Sequence, residues 1–530
     1  MSTKYDIIVM GGGVNTLGAA AYMAKAGKKV LVLEKSNMIG GGAVTVESTI
    51  PGFRHDTHST SHVFIHASPL LQNDELGLLS KFGLKYNYST KAVAGIFEDN
   101  TSMVLDHSVD DTCNSIAKHS ERDAETYRKF AAMCDRVLPM FLMGSFTVPT
   151  PMGSFISILE QSDDGRNLLD LMLKSPLQIL NGLFENDKVK MFFLKVLCIA
   201  TLQMPDAMGT GLAFLTMPAF IHKYKFGRPV GGSALLPESL ARCIEYYGGT
   251  IIKECEVTKI VTSGGRATGV DSKNGRYEAK DAVIAAIHPR HLGKMVDGLS
   301  PNLLERAKNV QPADIALLKI DAAMNEPLKY NGDPEDVAGG GIREMFYGNS
   351  LREHLASYDV IRQGKLLWDK PFFSASNSAG ADATRCPPGK GVLYSCTYVP
   401  YNLLDGGPQK WDEIKQRVAE NTLEKAAKFI PNIKGNILGM KVSSPLDMER
   451  HSPSFVDGEI AGLGFQFFHT GGLRPLPELA QFAVPDVESL YLCGPFMHPG
   501  GGIFGVGRPT AIKVCEDLGI DFDSVVAGNA

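Results

Sequence analysis

Long hydrophobic runs are missing from this sequence. No stretch reaches the roughly 18 uninterrupted apolar residues that a membrane-spanning helix requires, so we expect no such helix. The first apolar run, residues 5–10, leads directly into glycines, which is not the pattern of a secretory peptide. These absences favour a cytoplasmic protein that contacts, at most, the surface of a membrane.

The sequence also lacks closely spaced cysteine pairs and runs of like charge. Its 9 cysteines are odd in number and scattered, which argues against a disulfide framework and against a structural zinc site. Its 53 Lys and Arg residues are mixed with 58 Asp and Glu residues, giving a net charge of -5 and no basic nucleic-acid footprint. We predict neither a metal site nor a nucleic-acid partner.

What the sequence does contain is a strand, a glycine turn, a helix and a second strand, in that order. Residues 5–10 and 29–33 are short apolar runs, and residues 15–27 between them carry helix formers. In such a βαβ unit the amides of the turn and the helix dipole can hold a pyrophosphate. Thr16 replaces the third glycine of the usual fingerprint. The cofactor-binding residues predicted here are Gly11, Gly13, Val14 and Asn15.

An acidic residue and a second glycine cluster follow this unit. Glu34 ends the second strand, where a carboxylate can accept hydrogen bonds from adenosine ribose hydroxyls; the alternative is a glycine turn with a surface glutamate. The glycines at 40–42 would let the backbone pass close to a bulky ring cofactor. This order favours a flavin over a nicotinamide. The predicted cofactor-binding residues of this segment are Glu34, Lys35, Gly41 and Gly42.

Several spaced motifs resemble those of one flavoprotein family. They comprise residues 39–42, 51–56, 228–233 with 236–237, 376–389 and 445–450 and, most strongly, residues 490–505. In this order they are similar to the motifs of the phytoene desaturase-like flavoproteins. That family includes carotenoid desaturases, carotenoid isomerases and a pyridine nucleotide-disulphide oxidoreductase-like branch. The resemblance covers most of the chain.

The resemblance implies that the chain binds FAD. The adenosine end would lie at the βαβ unit, with the backbone of Val257 at the adenine, and the isoalloxazine would lie over the carboxy-terminal glycines. A helix that begins near Pro509 would point its positive end at the flavin, which would stabilise an anionic reduced form. The cofactor-binding residues implied at the carboxy-terminal end are Gly494, Gly501, Gly502 and Ile503.

The predicted fold class is α/β, with a discontinuous Rossmann-like FAD-binding domain and an inserted α+β substrate domain. We assign residues 1–105, 225–295 and 480–530 to the FAD-binding domain, and residues 106–224 and 296–479 to the substrate domain. Residues 105–225 have helical spacing and are rich in Met, Phe and Leu. Three interpretations of this helical stretch stay open: an ordinary hydrophobic core, the wall of a cavity for an apolar substrate, or a face that contacts a membrane.

Three residues are candidates for catalysis. Arg508 follows the last glycines and could bind a substrate carboxylate or stabilise the reduced flavin; a surface ion pair is the alternative. His498 precedes Pro499 beside the expected flavin, where it could contact substrate or shape the ring pocket. His62 belongs to a histidine-rich segment and has either a role in the substrate cavity or a place in polar packing. No general base is identified.

The function predicted from these observations is flavin-dependent desaturation of an apolar or cyclic small molecule. A hydride would pass to flavin N5 and a proton would leave the neighbouring carbon, while the protein binds and orients the substrate. The electron acceptor is undetermined, and with one clear dinucleotide fingerprint a second, nicotinamide site is not supported. The alternatives are a redox-neutral isomerase or hydratase that requires reduced FAD, and a non-catalytic flavin-binding or membrane-associated protein.

Overall fold

The computed structural model describes residues 4–89, 91–332, 340–501, 503 and 505–528. Two seven-stranded sheets dominate these residues. The strands are β1 (Lys4–Met10), β2 (Val30–Leu33), β3 (Thr45–Val46), β4 (His55–Asp56), β5 (Tyr86–Tyr88), β6 (Val93–Phe97), β7 (Ser102–Leu105), β8 (Gly227–Pro229), β9 (Thr250–Ile252), β10 (Val257–Ser263), β11 (Arg266–Ser272), β12 (Gly275–Ala285), β13 (Ala316–Met324), β14 (Ile342–Phe346), β15 (Phe373–Asn377), β16 (Gly391–Val399), β17 (Ile437–Ser443) and β18 (Leu490–Leu492).

Helices pack on both sheets. They are α1 (Val14–Lys25), α2 (Pro69–Gln72), α3 (Val109–Ala117), α4 (Glu121–Ser145), α5 (Met152–Leu159), α6 (Asp163–Leu173), α7 (Pro176–Leu183), α8 (Asp187–Thr201), α9 (Leu212–Tyr224), α10 (Leu235–Tyr246), α11 (Leu292–Met295), α12 (Pro301–Lys308), α13 (Leu351–Arg362), α14 (Ser378–Ala381), α15 (Trp411–Ala426), α16 (Pro445–His451), α17 (Gly507–Leu518) and α18 (Phe522–Ala527). Within the described residues, no helix is both long enough and apolar enough to span a membrane.

The first sheet contains the predicted βαβ unit. Its parallel part runs in the order β9, β2, β1, β12, β18, and the antiparallel hairpin of β10 and β11 extends β12 on one side. β2 is buried along its whole length, as is typical of a parallel strand covered on both faces. These strands confirm the Rossmann-like α/β fold.

Close contact between two glycines brings α17 against α1. A Cβ at Gly18 would lie 3.5 Å from the Cα of Gly507, and a Cβ at Gly507 would lie only 2.3 Å from the carbonyl oxygen of Asn15. The hydroxyl of Thr16 turns inward and donates to the carbonyl of Gly11 at 2.7 Å. The packing role of the missing third glycine is thus taken over by Gly18 and Gly507.

The second sheet forms the other half of the molecule and is mixed. Its order is β17, β13, β16, β15, β14, β6, β7, with β14 and β6 parallel and the other neighbours antiparallel. The apolar residues of α4 to α9 pack on one face of this sheet, and those of α15 pack on the other. β6 and β7, which belong to the predicted FAD-binding segment 1–105, pair in this sheet. The domain division stays a prediction.

Candidate functional site

A cavity of about 870 Å³ lies between the two sheets, at the carboxyl ends of β1, β2, β12 and β18. Its volume is near the upper end of the range for small-molecule and cofactor sites, and cofactors bind outside the carboxyl ends of parallel strands in such folds. The predicted cofactor-binding residues that line it are Gly11, Gly13, Val14, Asn15, Glu34, Lys35, Gly41, Gly42, Val257, Gly494 and Ile503. Gly501 is not among the lining residues, and Gly502 lies outside the described residues.

The two glycine turns form one end of this cavity. Gly11 has a φ of +93°, a conformation that favours glycine, and a Cβ there would approach the Cβ of Ala286 to 3.0 Å. A Cβ at Gly41 would lie 3.3 Å from the Cα of Gly13, so the second turn packs directly on the first. α1 begins at Val14 with no side-chain cap, and the amino-terminal end of a helix favours an anionic ligand.

The Glu34 carboxylate stands at the end of β2 beside these turns. It accepts a hydrogen bond from the Gly12 amide at 2.6 Å and one from the Ser36 amide at 2.8 Å. These two bonds fix the carboxylate at the position that binds ribose hydroxyls in dinucleotide sites. Turn, helix end and acid together fit the adenosine diphosphate part of FAD.

The far wall of the cavity is one face of the second sheet. Lining it are Leu317, Ile342, Glu344, Ser374, Ser376, Tyr394 and Cys396, together with Ile199, Ala200 and Leu202 at the end of α8. Most of these side chains are apolar or carry hydroxyl groups. Glu344 is the exception, and sequence reasoning missed it.

The Glu344 carboxylate is buried beside the equally buried Lys195 of α8. Its Oε2 lies 3.0 Å from the Lys195 ammonium nitrogen and accepts a hydrogen bond from the Ser374 hydroxyl at 2.5 Å. Burial raises the pKa of this carboxyl, although Lys195 and Ser374 act in the opposite direction. In the sequence Glu344 follows Arg343 within a five-residue strand, and this pattern alone does not mark it as a site residue.

His62 lines the same cavity and is tied to the surrounding chain. Its Nδ1 lies 2.8 Å from the Tyr86 hydroxyl and its Nε2 lies 3.3 Å from the Ser233 hydroxyl. Burial lowers its pKa to about 3, so the ring is neutral at physiological pH. Both nitrogens therefore have partners in the protein.

His498 lines a second cavity of about 120 Å³ next to the first. Its Nε2 lies 2.7 Å from the carbonyl oxygen of Gly144, and burial lowers its pKa to about 4. Phe64 and Ala200 line both cavities and so form the wall between them. The structure does not bring His498 and His62 into one cavity.

Arg508 lines neither cavity. Its guanidinium group is bonded to the Glu75 carboxylate and, at 2.9 Å, to the carbonyl oxygen of Phe146. The Tyr22 hydroxyl donates to the same carboxylate at 2.5 Å. Arg508 thus forms an ion pair with a buried carboxylate, and not the surface ion pair that was the alternative. In the described part of the chain, no group of His, Cys, Asp and Glu side chains could hold a metal ion.

Comparison with known proteins agrees with this geometry. The sequence pattern of the family described as "flavin containing amine oxidoreductase" matches residues 17–317. Pyridine nucleotide-disulfide oxidoreductase domain-containing protein 2 of Rattus norvegicus is 26% identical, over 98% of this chain and 94% of that protein. A limonene dehydrogenase subunit of Castellaniella defragrans is 24% identical, over 98% of this chain and 97% of that protein.

Among solved structures, an oxidoreductase from Methanosarcina mazei superposes with a TM-score of 0.60 at 15% identity, covering 98% of this chain and 100% of that one. At this identity the likeness shows the fold alone. The family match and the cavity residues agree on FAD as the cofactor.

Proposed function

Because the chain belongs to the flavin-containing amine oxidoreductase family and is an FAD-dependent oxidoreductase, we propose that it desaturates an apolar or cyclic small molecule. FAD, when bound, supplies a hydride acceptor. The observation that supports the proposal is that the larger cavity is lined both by the cofactor-binding turns and by a largely apolar wall of the second sheet. The name of the similar limonene dehydrogenase points in the same direction, because limonene is a cyclic hydrocarbon.

The charges of the cavity favour this reaction over oxidation of an amine. Of the described lining residues, the carboxylates are Glu34, Glu256 and Glu344. Glu34 is bonded to two amides, Glu256 forms an ion pair with Lys273, and Glu344 is paired with Lys195. Amide hydrogen bonds do not neutralise Glu34, but it lies among the cofactor-binding turns. At the wall of the second sheet Glu344 already has Lys195 as its counterion, so a substrate ammonium group would have no unpaired carboxylate there.

The test is anaerobic bleaching of the bound flavin. We expect limonene, a carotenoid or cyclohexanone to remove the oxidised flavin bands, and putrescine to leave them unchanged. Turnover of a probe only after prereduction, with no acceptor consumed, would favour the isomerase or hydratase alternative. Bleaching by putrescine alone would overturn the proposed substrate class. Reoxidation of the bleached protein with oxygen or a quinone would identify the class of electron acceptor.

A second, compatible role is contact with a membrane surface. α5 presents the exposed side chain of Ile158 and the half-buried side chains of Met152 and Phe155, and the last two line the second cavity. An apolar substrate could thus pass from a lipid surface towards the flavin. In flotation with phosphatidylcholine vesicles, Ile158→Glu should reduce binding, whereas Leu404→Glu, at an exposed leucine elsewhere, should not. Equal binding of both variants and the parent would contradict this role.

A further inference from the structure

We propose that Glu344 is the catalytic base that accepts the proton lost from the substrate carbon, an inference that rests on the proposed desaturation. Glu344 lies in β14 on the face that it shares with Ile342, and both side chains line the cavity. Around it the wall is formed by Leu317, Cys396 and Ala200, none of which can accept a proton at neutral pH. The carboxylate therefore stands where an apolar substrate would lie.

The contacts of Glu344 hold it in one orientation. The ammonium group of Lys195 is fixed by the carbonyl oxygens of Met345 at 2.9 Å and Phe373 at 3.0 Å, in addition to Glu344 Oε2. The Ser374 hydroxyl bonds to the same oxygen, Oε2. Both contacts thus use the same carboxylate oxygen, and in the proposed step the other oxygen, Oε1, accepts the proton from the substrate. Lys195 and Ser374 are positioning residues.

A purely structural role explains this arrangement poorly. A buried ion pair adds little to stability compared with apolar residues of the same volume, because both charges must be removed from water. Here Glu344, but not Lys195, lines the cavity, and burial gives the carboxyl a raised pKa, which makes its ionised form a stronger base than a carboxylate in water. A perturbed carboxyl in a cleft is a common feature of active sites.

The proposed step conserves atoms and electrons. One carbon–hydrogen bond of the substrate breaks with its proton passing to Glu344 Oε1, and the electron pair of that bond becomes the new carbon–carbon double bond. The neighbouring carbon loses a hydride with its two electrons, which FAD, when bound, would accept. Glu344 is left as a neutral acid beside the Lys195 cation and returns its proton to water after product release.

Two measurements test Glu344. The first is the rate of anaerobic bleaching by limonene, which Glu344→Gln should lower by about 100-fold or more. The second is deuterium uptake by cyclohexanone in D₂O, at the carbons next to its carbonyl, on protein with oxidised FAD. This exchange requires a base but no hydride transfer, and Glu344→Gln should reduce it to the rate in buffer.

Matched variants separate chemistry from folding. Glu344→Gln alone leaves Lys195 buried without its counterion, so the double variant Glu344→Gln with Lys195→Met is measured beside it. Asp321→Asn is the control, because Asp321 is paired with Lys319 in β13, equally buried, and outside the cavity lining. Lys195→Met alone should lower the saturating rate and leave the half-saturating limonene concentration unchanged; a collapsed cavity would change both.

The outcomes distinguish the two proposals. Loss of both bleaching and exchange in the Glu344 variants, with full FAD content, supports the base. If deuterium exchange depends on Glu344 but no probe bleaches the flavin, Glu344 remains the proposed base and the proposed desaturation is overturned. The proposed role of Glu344 as the base is overturned if flavin bleaching or deuterium uptake proceeds at the parent rate in both Glu344 variants. It is also overturned if cyclohexanone takes up deuterium no faster on the parent protein than on the variants.

Discussion

The guanidinium group of Arg508 and the carboxylate of Glu75 form a bidentate ion pair, in which the Nε–Oε2 and Nη2–Oε1 distances are both 2.8 Å. Glu75 is almost fully buried, so the removal of Arg508 would leave a buried charge without its partner. This pair connects the start of α17 to the loop after α2, and neither Arg508 nor Glu75 lines a cavity.

Arg508→Met should therefore destabilise the fold and leave the chemistry largely intact. We expect the free energy of unfolding to fall by about 3–5 kcal/mol, measured by denaturant titration of the FAD-loaded protein. Arg362→Met, which breaks an exposed pair with Asp206, should cost about 1 kcal/mol or less. Unchanged stability together with lost flavin bleaching would instead place Arg508 in catalysis.

The contact between Gly507 and α1 predicts a strong effect of a single methyl group. Gly507→Ala would place a Cβ 2.3 Å from the carbonyl oxygen of Asn15, so α17 must move away from α1. We expect a lower melting temperature and a lower FAD content after purification. Gly153→Ala is the matched control in the first turn of α5, where nothing lies within 4 Å of the added Cβ. Equal behaviour of the two variants would contradict this packing.

Loss of charge at Glu34 should weaken FAD binding. Hydrogen bonds to a charged group contribute about 1.5–3 kcal/mol, so Glu34→Gln should raise the dissociation constant of FAD by about tenfold or more. Glu254→Gln, at an exposed residue just after the neighbouring strand β9, should bind FAD like the parent. Fluorescence titration of the apoprotein with FAD measures both constants. Tight binding by Glu34→Gln would argue against the ribose contact.

The shared wall of the two cavities predicts a dependence on substrate length. Ala200→Phe would fill the space between them, so a long carotenoid should be excluded while limonene still fits in the larger cavity. We expect the bleaching rate to fall about tenfold or more for the carotenoid alone. An equal loss for both probes would indicate general disruption of α8.

The buried ring of His354 predicts part of the acid sensitivity of the fold. Burial lowers its pKa from 6.5 to about 3. Between these pH values the unfolded chain binds a proton at this residue and the folded protein does not, so stability falls as the pH is lowered from 6.5. His354→Phe should reduce the slope of the unfolding free energy against pH by about 1.4 kcal/mol per unit. An unchanged slope between pH 4 and 6 would refute this assignment.

Local patterns in the sequence were sufficient for the βαβ unit, because the strand, turn, helix and acid are consecutive. The same patterns located Glu34 and the glycine turns, which line the cavity. Glu344 could not be found in this way, because its partners are brought to it by pairing of β14 with β15 and by packing of α8 on the sheet. The ion pair of Arg508 could not be found for a related reason: its partner, Glu75, is distant in sequence.

β12 pairs with β1 on one side and with β18 on the other, although β18 is synthesised about 200 residues later. Contacts between such distant segments are formed late and slow the search for the native state. A nascent chain that has emerged from the ribosome only as far as β12 therefore exposes an unfinished edge of the parallel sheet. Productive loading of FAD in the cell must therefore wait until β18 has been synthesised, and chaperone dependence should be greatest in that interval.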